Sequence, residues 1–434
     1  MTLWFKENIM LNRRDFTKTL VAGSLASRLA LGAPTAVNEP RGKAQACILL
    51  WLGGGMAHID TFDPKRLGDP KEKKAGGAYK AIPTAIRDVE VCEHLPRVAN
   101  LMDRGIILRT CFHDQAEEHA RPTNLFKTGR PTSDTIIYPS IGSIICHELG
   151  PRAEGIPPYV VMGYPNVTRG PGFLGAKYGY IYLTDTAAGP AGLRRPDEVT
   201  DERQRRRLLL LNGLREQYRE RAKDVAAVDY DASITEAQRL AGPEFRKVFD
   251  LAEEKADVRN RFGDEFGQRC LLARRLVQSG VRYVEASFNL NFINGTGWDT
   301  HTHGQLEQHK LIQSLDVSLS ALLEDLERHK LLDSTLVVVA TEFGRPAEFD
   351  GGGGRGHQAS AFSTVLFGGG LKTGQAIGQT DELGKKPVDF KISLPDWHAT
   401  IHAAMGINPN EELYAGERPV PITDNGKPVA GVFG

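Results

Sequence analysis

The chain alternates between short, wholly apolar runs and longer stretches with helical spacing. Residues 46–52 (ACILLWL) show no polar alternation and end on Gly53-Gly54-Gly55. That is the pattern of a strand buried on both faces that delivers its carboxyl end into a glycine turn. Residues 105–110 (GIILRT), 158–162 (PYVVM), 281–288 (VRYVEASF), 334–341 (STLVVVAT) and 361–367 read the same way. Residues 306–330 set Leu311, Leu315, Leu319, Leu322 and Leu326 at helical spacing. Strands alternating with helices predict an α/β fold with a mostly parallel sheet covered on both faces.

From about residue 194 to 276 the apolar runs give way to segments rich in Arg, Glu and Leu, read as a helical insertion in an α/β domain spanning residues 46–430. The basic run Arg203, Arg205, Arg206, Arg207 has acidic residues close by, so it reads as a solvated helix face and not as a nucleic-acid contact. Gly351 to Gly354 lie in a loop from Gly344 to His357, where glycines let backbone approach a ligand or metal.

The N-terminus adds a destination. Asn12-Arg13-Arg14-Asp15-Phe16-Thr17-Lys18 pairs two arginines with a following aromatic and lysine, and a weakly apolar stretch containing Arg28 runs from Thr19 to about Ala33. It is too short and too polar to span a bilayer. Residues 1–40 are therefore read as a twin-arginine signal peptide, which implies passage through the Tat translocase and a periplasmic or extracellular location without a stable membrane span.

Composition changes little. The 434 residues are 41% hydrophobic and 25% charged, as in an ordinary globular protein, and 54 basic side chains balance 54 acidic ones. No global field draws such a chain to nucleic acid or anionic lipid. Five cysteines without a CxxC pair read as buried small apolar residues, with one or two disulfides allowed in an oxidising compartment.

Ligands of parallel α/β sheets sit beyond the carboxyl ends of the strands. His58 and Asp60 follow the first strand; His113, Asp114 and His119 follow the second. Asp299, His301 and His303 follow the strand at 281–288, and Glu342, Arg345, Arg355 and His357 follow that at 334–341. Three potential ligands between 299 and 303 make the strongest metal signal, and a set of His, Asp and Glu without thiolate points to zinc first and manganese or another divalent ion second. No Gly-x-Ser-x-Gly elbow supports a Ser-His-Asp hydrolase.

The landmarks Gly54-Gly55-x-x-His58-x-Asp60-Thr61-Phe62-Asp63, Gly170-Pro171-Gly172-Phe173-Leu174-Gly175, Trp298-Asp299-Thr300-His301, Glu342-Phe343-Gly344-Arg345, His357 and Gly368-Gly369-Gly370 follow one another through most of the chain. They resemble the exported family called domain of unknown function 1501, a relative of the alkaline phosphatase and sulfatase superfamily. The resemblance implies an alkaline-phosphatase-like three-layer α/β/α sandwich. It also implies metal ligands at Asp60 or His58, at Asp299 with His301 or His303, at Glu342 and at His357. Counting back from Thr128-Gly129 puts His119 where such enzymes carry their nucleophile, as nucleophile or further ligand, with Thr123 a second candidate. The first strand has glycine where those phosphatases have a metal-binding aspartate, and His357 follows Gly356 where relatives have aspartate.

The expected function is an exported metal-dependent hydrolase acting on a small-molecule or polysaccharide phosphate or sulfate ester, with Arg345 and Arg355 contacting the anion. The alternative is a non-catalytic exported module that keeps the fold to bind a polysaccharide or protein.

Overall fold

All six residues of Ala46–Trp51 are buried, as a strand flanked on both sides and covered on both faces must be. The computed structural model describes residues 42–115, 118–163, 170–186, 189, 198–221, 225–240, 243–292, 295–301 and 304–434, so residues 1–40, read from the sequence as a signal peptide, lie outside the described residues. Pro40–Gly434 form one compact unit.

Among the described residues its central sheet has nine strands: β1 (Ala46–Trp51), β2 (Gly105–Phe112), β3 (Tyr159–Met162), β4 (Ile181–Leu183), β5 (Tyr283–Ser287), β6 (Thr335–Ala340), β7 (Phe362–Gly368), β8 (Gln375–Ile377) and β9 (Ile392–Ser393). Their order is β8-β2-β7-β6-β1-β5-β3-β4, with β9 paired to β2. β1 lies parallel to both neighbours, with Leu49 opposite Val338 on β6 and opposite Glu285 on β5. Among these nine strands only β7 runs antiparallel, to β6 and to β2. Every strand anticipated from an apolar run is present; β4, β8 and β9, of two or three residues each, carry no such run.

Helices cover both faces: α1 (Ala120–Thr128), α2 (Ile141–Leu149), α3 (Asp201–Arg221), α4 (Val225–Leu240), α5 (Pro243–Phe249), α6 (Ala256–Phe262), α7 (Glu265–Ser279), α8 (Gly304–Arg328) and α9 (Leu394–Ala404). Ile48 and Leu50 of β1 pack with Leu272 and Leu276 of α7 and with Leu315, Leu319 and Leu322 of α8. Cys47, Leu49 and Trp51 point the other way, into a second core with Phe126 of α1, Ile145 of α2 and Trp397 of α9. The result is a three-layer α/β/α sandwich with a mostly parallel sheet. No helix of the described residues is long and apolar enough to cross a membrane.

The helical segment anticipated between 194 and 276 divides into two kinds of structure. α3 has no buried residue. α7 is a core helix, capped at its start by Asp264 and ended by Gly280 at φ +112°. Arg274 disguises α7 as polar, yet it is buried and paired with Asp325 of α8 at 2.6 Å. All five cysteines are free and buried.

Candidate metal centre

The glycine turn after β1 brings the strand ends together. Gly54 has φ +112°, and a Cβ there would stand 2.3 Å from the backbone nitrogen of Asp299. Only glycine accepts both that conformation and that approach. Trp298 N donates to Gly53 O at 2.8 Å, and Gly54 N donates to Glu342 Oε1 at 2.8 Å. One turn thus fixes the segments that follow β5 and β6.

Asp299 is the hub. Arg345 Nη2 donates to its Oδ1 at 2.6 Å, His301 Nε2 stands 3.1 Å and His357 Nε2 3.7 Å from the same oxygen, and His119 Nε2 lies 3.4 Å from Oδ2. Burial alone pushes the Asp299 carboxyl up, but the hydrogen bonds from His119, His357 and Arg345 outweigh it and hold the group well below the usual carboxylate range. His301 Nε2 and His357 Nε2 face each other at 3.0 Å, and His301 Nδ1 lies 3.3 Å from Asp350 Oδ2. The Phe343 ring packs on His357 and His119 at centroid distances of 4.5 and 5.2 Å.

His119 immediately precedes α1 and is a third open at its side chain. Its Nδ1 meets the buried Oε1 of Glu342 at 2.8 Å, while Thr341 Oγ1 donates to the other oxygen at 3.2 Å. Burial lowers the His119 pKa, but Asp299 and Glu342 together raise it to about 9.

Beneath the site, Lys127 of α1 is buried with its Nζ 2.9 Å from Glu285 Oε1 and 3.8 Å from the centre of the Trp51 ring. This pair ties the helix that begins at His119 to β5 and β1.

Asp60 and Arg355, read from the sequence as ligand and anion contact, instead hold each other. Arg355 Nε and Nη2 donate to the two Asp60 oxygens at 2.9 and 3.1 Å, and both side chains are fully buried. The remaining guanidinium donors reach Pro346 O, Ala347 O and Gly76 O, and Phe349 covers the group at 4.1 Å. Arg345 is likewise fully buried, with bonds to Gly55 O at 2.8 Å, Arg355 O at 2.6 Å and Gly54 O besides Asp299. Neither guanidinium is open to a bound anion. Both arginines fix loops.

His58 is buried with Nε2 2.7 Å from Gly384 O, and Gly344 is packed so closely on its Nδ1 that a Cβ there would come within 2.5 Å. Glu342 sits behind His119. Thr123 is buried within α1. His303 lies outside the described residues. Asp350 and Phe343 join the centre without having been singled out; the glycines that follow Asp350 were the available signal.

The donor geometry suits a cation. Asp299 Oδ1, His301 Nε2 and His357 Nε2 form a triangle with edges of 3.0, 3.1 and 3.7 Å. Tetrahedral zinc, with bonds of roughly 2.0–2.1 Å, separates its ligand atoms by about 3.3 Å. His119, Asp299 and His357 also bring one ligand atom each within 4.8 Å of one another. Two of the imidazoles carry a carboxylate at Nδ1, Asp350 on His301 and Glu342 on His119, the support that orients metal-binding histidines.

Among solved structures, a sulfatase from Pseudoalteromonas sp. aligns with TM-score 0.42 and 12% identity over 96% of this chain and 78% of its own. A protein of the alkaline phosphatase superfamily from Vibrio parahaemolyticus aligns at 0.38 and 11% over 90% and 75%, and a phosphonate monoester hydrolase from Silicibacter pomeroyi at 0.39 and 9% over 89% and 76%. No curated protein matches the sequence. Residues 44–433 match the family model described as "Protein of unknown function (DUF1501)", and the chain belongs to that family.

Proposed function

We propose that the protein is an exported, metal-dependent hydrolase of phosphate or sulfate esters, delivered by the twin-arginine route to the periplasm or beyond. The observation that carries this reading is the triangle of Asp299, His301 and His357 donors, drawn from loops after two strands and closed by a buried arginine. Asp299, His301 and His357 would hold one divalent ion, zinc first by donor chemistry and manganese second. Such an ion supplies charge that polarises a phosphoryl or sulfuryl oxygen.

The chain's own residues do the rest. Arg345 pins Asp299 through Oδ1, and Asp350 turns His301 so that its Nε2 faces the centre. Glu342 holds Nδ1 of His119 and leaves Nε2 directed inward, where it can carry the proton required by a leaving oxygen. Phe343 walls the histidines on one side. Asp60 and Arg355 keep the loop carrying His357 in register from below.

A non-catalytic binding module is favoured by one observation, the burial of both arginines that would otherwise grip an anion. Metal analysis of protein purified without chelator, joined to a panel of aryl phosphates, phosphodiesters and aryl sulfates, separates the two readings. Hydrolysis that needs metal and disappears in Asp299→Ala supports the enzyme. Bound metal with no turnover on any ester leaves the module.

A further inference from the structure

Away from the metal centre, the sheet is notched along its β8 edge. β8 lies beside Ile106 to Leu108 of β2, and β9 beside Cys111 and Phe112. Among the described residues, Arg109 and Thr110 therefore have no strand next to them on that edge. On the other edge β7 shifts register across the same two residues. A bulge of this kind re-aims a side chain. At Gly378, with φ +82°, the chain leaves the edge, and a Cβ there would stand 2.2 Å from Thr110 Oγ1. It returns at Ile392, after the paired segments Gln379–Thr380 and Pro387–Asp389. This detour, with the hairpin of Ala81–Pro83 and Glu90–Cys92, borders a cleft of about 790 Å³. Its size lies within the range of small-ligand sites.

The lining says what could fill it. Lys65 Nζ stands 3.1 Å and Arg109 Nε 3.5 Å from one oxygen of Asp63, a buried carboxylate whose other oxygen accepts from Thr380 Oγ1. One carboxylate thus serves two cations. Arg109 Nη2 donates to Glu90 O at 3.4 Å, and Nη1 meets no acceptor among the described residues. Around these donors stand the exposed carboxylates of Glu90 and Asp389 and the exposed amide of Gln379. An anion would meet the carboxylates, a polyamine would meet the lysine and arginine, and an apolar ligand would strand them all. A hydroxyl donates and accepts at once, so a ligand rich in hydroxyls satisfies both sets.

We propose that this cleft binds a neutral oligosaccharide, whose hydroxyls donate to Glu90 and Asp389 and accept from Lys65 and Arg109. Such binding is independent of the hydrolase reading, since none of Asp299, His301 and His357 lines the cleft. The full chain is titrated calorimetrically with neutral trisaccharides and tetrasaccharides of glucose, galactose, mannose and xylose, and separately with inorganic sulfate and with spermidine. Binding of at least one saccharide in the millimolar range or tighter is expected, unchanged after chelator treatment. Glu90→Gln and Asp389→Asn, both at exposed positions, should each weaken it about tenfold, and Arg109→Met at least as much, with far-UV circular dichroism unchanged. Four results would overturn the assignment: no saccharide bound, sulfate or spermidine held by these residues in its place, binding that all three substitutions leave intact, or binding that the chelator removes.

Discussion

Glu342 Oε1 and His119 Nδ1 meet at 2.8 Å across 223 residues of sequence, one at the end of β6 and the other at the start of α1. The carboxylate is buried and also bonded by Gly54 N and Thr341 Oγ1, so it is a fixed partner that sets which way the imidazole points.

The first consequence concerns protons. In metal-free protein His119 keeps its charge up to a pKa of about 9, above its unfolded value near 6.5. A raised folded-state pKa gives stability that is fully present below about 6.5 and is lost as pH rises through about 9. Glu342→Gln should lower the His119 titration seen by NMR and flatten the loss of stability between those limits. An unchanged titration would contradict the pairing.

The His119 role is separable from metal holding. His119→Asn should retain bound metal while cutting the rate on any accepted ester by about 10²–10⁴-fold, the range for loss of a proton-transfer group. Parallel metal analysis and kinetics check this. Loss of metal together with activity would make His119 a ligand instead.

Asp60 and Arg355 are a structural pair. Arg355→Met or Asp60→Ala leaves a buried charge without its partner and should cost about 3–5 kcal/mol in denaturant unfolding. Removing both together should cost less than the sum of the two. Near-additive effects would mean the pair is not coupled.

The Gly54 turn should be intolerant. Gly54→Ala places a methyl 2.3 Å from Asp299 N at a φ of +112°. A loss of about 1–3 kcal/mol from the backbone alone is expected, with weakened metal binding because Asp299 must move. Wild-type metal affinity in this variant would show that the approach is not needed.

Acid should unfold the helix layer through α9. Burial lowers His398 to about 4 and His402 to about 3, against an ordinary value of 6.5. A depressed histidine pKa gives stability that is present above the unfolded value and falls as pH drops below about 6.5 toward the folded values. Thermal melts from pH 7 to 4 should show this decline, reduced in His402→Phe. A flat profile would contradict it.

Much of the architecture is legible in the sequence because strands buried on both faces are unbroken apolar runs, as in β1 and β6. The reversed direction of β7 is not, since Phe362–Gly368 has the same composition in either orientation. Arg274 hid the burial of α7 because its partners, Asp325 and Glu254, are distant in sequence. At the site, the strand-end rule marks Asp299, His301, His357 and His119 as candidates, and the structure brings them together. It could not say that Arg345 and Arg355 are neutralised, because residue type declares a charge and not its partner. Asp350 escaped notice for the same reason: its value lies in standing beside His301 Nδ1.

The central claim is that Asp299, His301 and His357 bind a divalent ion, and zinc titration of chelator-stripped protein by calorimetry addresses it directly. The account predicts a saturable site near one equivalent per chain, with protons released, that is lost in Asp299→Ala and weakened at least tenfold in Asp350→Asn. A wild-type chain that takes up no zinc or manganese, or an Asp299→Ala variant that binds as well as the wild type, would contradict it.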